Sequence, residues 1–179
     1  SIEECDAISR QLRRDGIEPN LLNAANDLDE DRIIKEAGLF GAVTVATDMA
    51  GRGTDIILEA GLDRRIADRY AILVGELLAE GVGAVTLKCP AKEAAQILLA
   101  AIDATGLRDW LGCSVAAADR GDGTEVIVSA KDVAAHAAAI SLDFGLGLYV
   151  IGARTSGNAR VDHQLMGRSG RQGDFGASR

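Results

Sequence analysis

Ala42-Val-Thr-Val-Ala-Thr47 runs directly into Asp48-Met-Ala-Gly-Arg-Gly-Thr-Asp55-Ile, and the joint between the two decides how the chain is read. The first run is rich in β-branched residues and is bounded by Gly41 and Asp48, which predicts a strand. The glycines that follow then fall at the carboxyl end of that strand, the edge at which ligands bind in parallel α/β sheets. Gly51 and Gly53 can bring backbone N–H groups close to an anion, and Arg52 adds a positive charge. Thr54 and Asp55 can hold a hydroxyl or a water. A tight polar loop with glycines placed only for turn geometry is the alternative for a Gly-x-Gly taken alone.

Upstream, Cys5, Ile8 and Leu12 recur at i, i+3 and i+7, which predicts an amphipathic helix ended by Gly16. Leu21-Leu22-Asn23-Ala24 reads as a short strand. Asp27 to Glu30 resembles a capping box, leading into a helix over 32–37 that stops at Gly38. Helix and strand alternating in units this short predict βα repeats feeding a parallel sheet. Downstream the character changes. Residues 62–80 are helical in pattern, with Ile66, Tyr70, Leu73 and Leu77 on one stripe. A strand over 84–88, a helix over 91–104 after Pro90, two strands over 111–118 and 125–129, and an alanine-rich helix over 131–140 follow. This αβαββα pattern can bury a core of its own, so residues 62–142 are expected to form an inserted α/β subdomain. Gly147-Leu-Tyr-Val-Ile-Gly152 then reads as a strand returning to the first domain, 1–61 with 143–179.

The 179 residues, 47% hydrophobic, suffice for one domain or for one domain carrying a small insertion. Disorder and collagen-like repeats are excluded by composition. No run of about 18 apolar residues occurs, and the first residues lack the pattern of a secretory signal. Cys5, Cys89 and Cys113 have no CxxC spacing and read as buried thiols in a reducing compartment. A net charge of −8 and only 3% aromatics argue against a dedicated nucleic-acid binder.

Against that acidic background, residues 153–179 carry five arginines (154, 160, 168, 171 and 179) and two aspartates (162 and 174), a local balance of +3. Within them lies Gln164-Leu-Met-Gly-Arg168-Ser-Gly-Arg171-Gln-Gly-Asp174, with Gly167, Gly170 and Gly173 three apart and Arg168 and Arg171 three apart. In a helical segment both guanidinium groups project to one side. Two fixed positive charges with a clear approach suit a polyphosphate, and can stabilise charge on a transferring phosphoryl group. His136, His163, Trp110 and Met166 read as surface or packing residues rather than as chemistry.

Taken together, these two clusters resemble motifs V and VI of superfamily-2 helicase-type motors. The wording is closer still to the second nucleotide-binding motor domain of SecA, the ATPase family that drives preproteins through the SecYEG channel. Ser1-Ile-Glu, Leu22-Asn-Ala, Gly41-Ala-Val-Thr-Val-Ala-Thr, Met49-Ala-Gly-Arg-Gly-Thr-Asp-Ile, Gly147-Leu-Tyr-Val-Ile-Gly and Gly167-Arg-Ser-Gly-Arg-Gln-Gly-Asp carry that resemblance, over about 1–58 and 144–179. It departs from the family at Arg154-Thr-Ser-Gly-Asn158, at Met166 and at Phe175.

The resemblance implies a RecA-like parallel sheet flanked by helices, ATP as substrate, and a site shared between two motor domains. It implies catalytic roles for Arg168 and the finger-like Arg171. It implies nucleotide-facing roles for Gly51, Arg52, Gly53 and Asp55 in motif V, and for Gln164, Gly167, Gly170 and Asp174 in motif VI. SecYEG, preproteins and peripheral contact of a cytoplasmic protein with the inner membrane are the implied partners and location. No Gly-x-x-x-x-Gly-Lys-Ser/Thr and no Asp-Glu-x-Asp occur, so the phosphate-cradling loop and the Mg²⁺ ligands are expected on another domain. The chain is accordingly expected to be a fragment of a longer motor, inactive by itself. Two alternatives stand beside this reading: the C-terminal RecA-like domain of a superfamily-2 nucleic-acid helicase, and a non-catalytic module that docks a partner through 62–142.

Overall fold

The computed structural model describes residues 1–23, 29–47, 55–131, 137–153, 169–170 and 174–179. Helix α1 (Ile2–Arg14) starts on a capping box: the Ser1 hydroxyl accepts from the Glu4 N–H at 3.2 Å while the Glu4 carboxylate reaches back to the Ser1 nitrogen at 2.8 Å. It ends where the Ile17 N–H reaches the Leu12 carbonyl (2.9 Å) and the Gly16 N–H reaches that of Arg13 (3.1 Å), the paired bonds of a Schellman stop. Its inward face buries Cys5 and Ser9, and it packs on strand β2 (Thr44–Ala46).

Strand β1 (Asn20–Leu22) pairs with β2 in parallel, Asn20 opposite Thr44 and Leu22 opposite Ala46. Between them runs α2 (Glu30–Ala37), which buries Ile33. The Asn20 amide donates to the Glu36 carboxylate at 3.3 Å and so ties α2 to β1. The sequence put a capping box at Asp27–Glu30; Asp27 lies outside the described residues. The cap is Asp29, whose side chain bonds no backbone amide and lies 3.5 Å from Arg32 instead. A second parallel pair joins β7 (Leu148–Val150) to β8 (Gly176–Ser178). Strand β8 was not anticipated: three small residues carry no alternating pattern.

The chain divides into two compact units, 1–62 with 147–179, and 63–146. The second has its own sheet, in the order β4-β5-β3-β6. Central β3 (Ala84–Cys89) pairs antiparallel with β5 (Thr124–Ser129) and parallel with β6 (Ala139–Asp143), while β4 (Ser114–Asp119) closes a hairpin with β5. Val85, Leu87, Val126 and Val128 alternate inward and are fully buried. Helix α3 (Leu62–Ala79) contributes Ala67, Ala71 and Val74 to the core, α4 (Lys92–Ala104) contributes Leu98 and Ile102, and the short α5 (Leu107–Trp110) follows.

Two expectations are corrected here. The buried stripe of α3 is 67, 71, 74 and 78, one residue on from the one read in the sequence, and Leu73 is exposed. Small residues at 67, 71 and 75 let the helix come close; a methyl on Gly75 would stand 3.3 Å from Leu107. The expected helix over 131–140 gives way by residue 139 to β6; residues 132–136 lie outside the described residues. Ile140 and Leu142 alternate with Ala139, Ser141 and Asp143, a period of two that the preceding alanines obscured. Beside the segment expected over 62–142 stands the compact unit 63–146, in which Phe144 and Leu146 are buried. The architecture is α/β, with parallel and mixed sheets flanked by helices.

Candidate functional site

The first glycine-rich cluster follows β2 in the chain and the second precedes β8, each a member of a parallel strand pair. Strand β2 is held through the Asn20 N–H to the Val43 carbonyl (2.8 Å) at its start and the Thr47 N–H to the Leu22 carbonyl (3.2 Å) at its end. The first cluster therefore departs from an anchored carboxyl edge. Gly51, Arg52 and Gly53 lie outside the described residues. Asp55 is described and its side chain is exposed.

Past Asp55 the chain returns to the turn that precedes β2. A methyl on Gly38 would overlap the Ile57 carbonyl, so the two backbones lie in contact there. The Glu59 N–H donates to the Gly38 carbonyl at 2.9 Å, and the Glu59 carboxylate accepts from the Phe40 N–H at 2.9 Å. The described residues on either side of 48–54 are thus held, Thr47 by β1 and Ile57 to Glu59 by the end of α2 and the turn after it. Sequence reading missed Glu59, because a lone acid between Leu58 and Ala60 carries no pattern. Gly38 was read only as a helix stop.

The second cluster is held in a comparable way. Gln164, Gly167, Arg168 and Arg171 lie outside the described residues, while Gly170 and Asp174 are described and exposed. Gly170 has φ +67°, and a methyl placed on it would stand 3.6 Å from the Asp174 carbonyl. The two residues flanking 171–173 therefore lie within reach of each other. Gly176 sits against the Gly170 nitrogen, and Gly147, at φ +72°, abuts the Phe175 carbonyl. Each of those approaches excludes a side chain. Beyond them β8 follows β7 to Arg179, whose N–H donates to the Val150 carbonyl at 2.9 Å.

The described residues flank both clusters, whose glycines and arginines are the residue types that suit an anion. For Mg²⁺ the described residues do not fit: no group of three or more His, Cys, Asp or Glu side chains able to hold a metal occurs among them. No step is assigned to a metal here. No helix among the described residues is long and apolar enough to cross a membrane. The three cysteines are free and buried, and burial pushes the Cys89 thiol up from 9.0 to about 11, which removes it as a nucleophile near neutral pH.

The family description of the SecA P-loop domain matches residues 1–179. Over 179 residues the chain is 36% identical to the protein translocase subunit SecA of Leifsonia xyli subsp. xyli, covering 100% of this chain and 15% of that protein. It is 38% identical over 183 residues to the protein translocase subunit SecA 1 of Mycolicibacterium vanbaalenii, again covering 100% of this chain and 15% of that one. With the protein translocase subunit SecA of Thiobacillus denitrificans it shares 35% identity over 179 residues, with the same two shares. The chain spans about 15% of the length of these curated relatives.

Proposed function

The chain belongs to the SecA P-loop domain family, and from that premise we propose that it forms the second RecA-like half of an ATP-driven protein-translocation motor. Residues 1–62 with 147–179 act as the motor half, and 63–146 is an α/β subdomain inserted between its two nucleotide-facing loops. ATP binds between this half and a first motor domain elsewhere in the full-length protein, which supplies the phosphate-cradling loop and the Mg²⁺ ligands. Preproteins and the SecYEG channel are the partners, and the motor works in the cytoplasm at the membrane surface.

In this reading Arg168 and Arg171 supply motif VI. Their fixed positive charges lie against the γ-phosphoryl group as it passes from ADP to water, where negative charge accumulates on its equatorial oxygens. Gln164, Gly167, Gly170 and Asp174 shape the approach of that segment to the nucleotide. Gly51, Arg52, Gly53 and Asp55 form motif V, which senses whether the γ-phosphate is present. The observation that carries the proposal is the family match across residues 1–179. The anchoring of the described residues that flank both clusters supports it, since a charge-stabilising group must be held in place before the reaction.

The test is Arg171→Ala in the full-length protein. ATP turnover is expected to fall by about 10³-fold or more, while binding of a fluorescent ATP analogue stays within about tenfold of wild type. The 179 residues alone are expected to show negligible turnover. Robust hydrolysis by the isolated chain, or an Arg171→Ala motor with near-normal turnover, overturns the proposal.

A further inference from the structure

We propose that the outer edge of β4 is a docking strand for an extended segment of polypeptide, apolar along its length and basic at one end. Naming that segment as cargo in transit rests on the motor function proposed above. Strand β4 stands at one border of the four-stranded sheet, with β5 as its neighbour. The hydrogen-bond pattern fixes which of its groups point outward. The Arg120 N–H donates to the Gly123 carbonyl at 2.9 Å, so 120 and 123 are a bonded pair, and bonded pairs recur at every second residue of an antiparallel ladder. Ser114, Ala116 and Ala118 therefore bond to Ser129, Ile127 and Glu125. Val115, Ala117 and Asp119 turn their main-chain groups away from β5, three donors and three acceptors without a partner among the described residues.

This border lacks the devices that protect an open edge. Its register with β5 runs one-to-one over six residues without a bulge, and it holds neither proline nor lysine. Its one charge, Asp119, accepts from the Gly121 N–H of its own hairpin at 3.0 Å. At the opposite border, by contrast, Tyr70 of α3 donates to the Asp143 carbonyl at the end of β6. Helix cover also stops short of β4. Val115 and Ala117 share a face with their partners Val128 and Val126, which are fully buried, yet Val115 is half-buried and Ala117 exposed. An added strand finds open apolar surface there as well as main-chain groups.

The side chains select the kind of occupant. Serine, valine and alanine form no pocket deep enough to choose between residues, so recognition runs through the main chain and tolerates a changing sequence. That suits an unfolded chain in transit better than a fixed partner. Charge sets its ends. At the hairpin tip Arg120 is paired with Glu125 at 2.7 Å, which leaves Asp119 and the exposed Asp122 as a net −2 over 119–125. Across 63–146, twelve acids stand against eight lysines and arginines, a field that repels a second copy and attracts a basic peptide.

The experiment uses the full-length protein and follows the anisotropy of a fluorescein-labelled peptide of about ten alternating valines and threonines that ends in lysines. N-methylation of its alternate amides is expected to weaken binding about tenfold or more, because each methyl removes a main-chain donor. Glutamates in place of the lysines are expected to weaken it about fivefold at low salt. Ala117→Pro removes an outward N–H that the ladder with β5 does not use. It is expected to weaken the peptide about tenfold while the urea midpoint read from Trp110 stays in place. Should that midpoint fall, Ala117→Lys replaces it, since a lysine on an open edge blocks pairing and leaves the ladder intact, and the same loss is expected. Asp122→Lys should erase the preference for lysine over glutamate ends. A urea-unfolded secretory protein, diluted into the assay, should displace the peptide. Equal binding of the N-methylated peptide, undiminished binding by the folded Ala117 variant, or no displacement by the unfolded protein overturns the inference. So does a wild type that ignores the peptide, including one held as a dimer that Ala117→Pro converts to monomer. A protein that shows all these losses yet never hydrolyses ATP sinks the proposed function and leaves the docking strand standing.

Discussion

The two units of the chain solve the same problem with very different means. In 63–146, a four-stranded sheet has strands of five or six residues paired along their length, and Val85, Leu87, Leu98, Ile102, Val126 and Val128 are fully buried. In 1–62 with 147–179, the described strands are three residues each, paired two by two, and the buried apolar side chains among the described residues are Cys5, Pro19, Leu22, Ile33 and, at its edge, Leu62. Two-stranded pairs of that length are marginal alone. They are held instead by point contacts: Gly38 on Ile57, Gly147 on Phe175, Gly176 on Gly170, and the Glu59 carboxylate on Phe40. One unit is stabilised by area, the other by close backbone approach. The unit built on backbone approach is the one whose chain includes both candidate clusters.

That contrast breaks if core damage in 63–146 melts both units together. Leu98 is fully buried in α4, and Leu98→Ala is expected to cost about 2–5 kcal/mol. The chain has one tryptophan, Trp110 in α5, so its fluorescence reports on that unit. The urea midpoint read from Trp110 should fall markedly, while amide exchange at Ile33 keeps its wild-type rate. Equal losses at both probes would mean that the units unfold as one.

The reverse experiment strikes a backbone contact. Gly147 has φ +72° and no room for a side chain beside the Phe175 carbonyl. Gly147→Ala should cost about 1–3 kcal/mol, from left-handed strain together with the displaced strand. Exchange at Val150 and Arg179, which hold the β7–β8 pair, should accelerate. The Trp110 midpoint should stay where it is, and a parallel drop there would erase the distinction drawn above.

The same contrast explains what could be read in the sequence. The i, i+3, i+7 spacing of Cys5, Ile8 and Leu12 announced α1, Pro90 marked the approach to α4, and the short runs over 84–88 and 125–129 announced β3 and β5. In α3 the signal misled. Tyr70, Leu73 and Leu77 are larger than Ala67 and Ala71, but the alanines are the ones that are fully buried. The candidate clusters were named from glycine and arginine wording alone, and most of their residues lie outside the described ones. The contacts that flank them carried no such wording. Nothing around Glu59 marks it as one of those contacts, and Gly176-Ala-Ser178 becomes a strand only because β7 offers it an edge and Gly147 clears the way.

The smallest expected effect tests the area-stabilised unit at its margin. The Tyr70 hydroxyl donates to the Asp143 carbonyl at 3.0 Å, and its ring meets Phe144 edge-on at 4.9 Å. Tyr70→Phe keeps the ring contact and removes the bond, for an expected cost of about 0.5–1.5 kcal/mol at pH 8. Burial first, and the nearby Asp143 charge second, raise the Tyr70 pKa above 10.0. Up to about pH 10 the hydroxyl is neutral in folded and unfolded chains alike. Above it the unfolded chain gives up its proton first, so the folded state binds more protons and its stability falls as pH rises. Cys89, raised from 9.0 to about 11 by burial, adds a loss of the same sign in wild type and variant alike. The difference between the two urea midpoints therefore isolates the tyrosine. It should be largest at pH 8 and shrink by pH 10.5. A gap that widens with pH would mean that the ionised Tyr70 is better accommodated in the folded unit than its burial beside Asp143 allows.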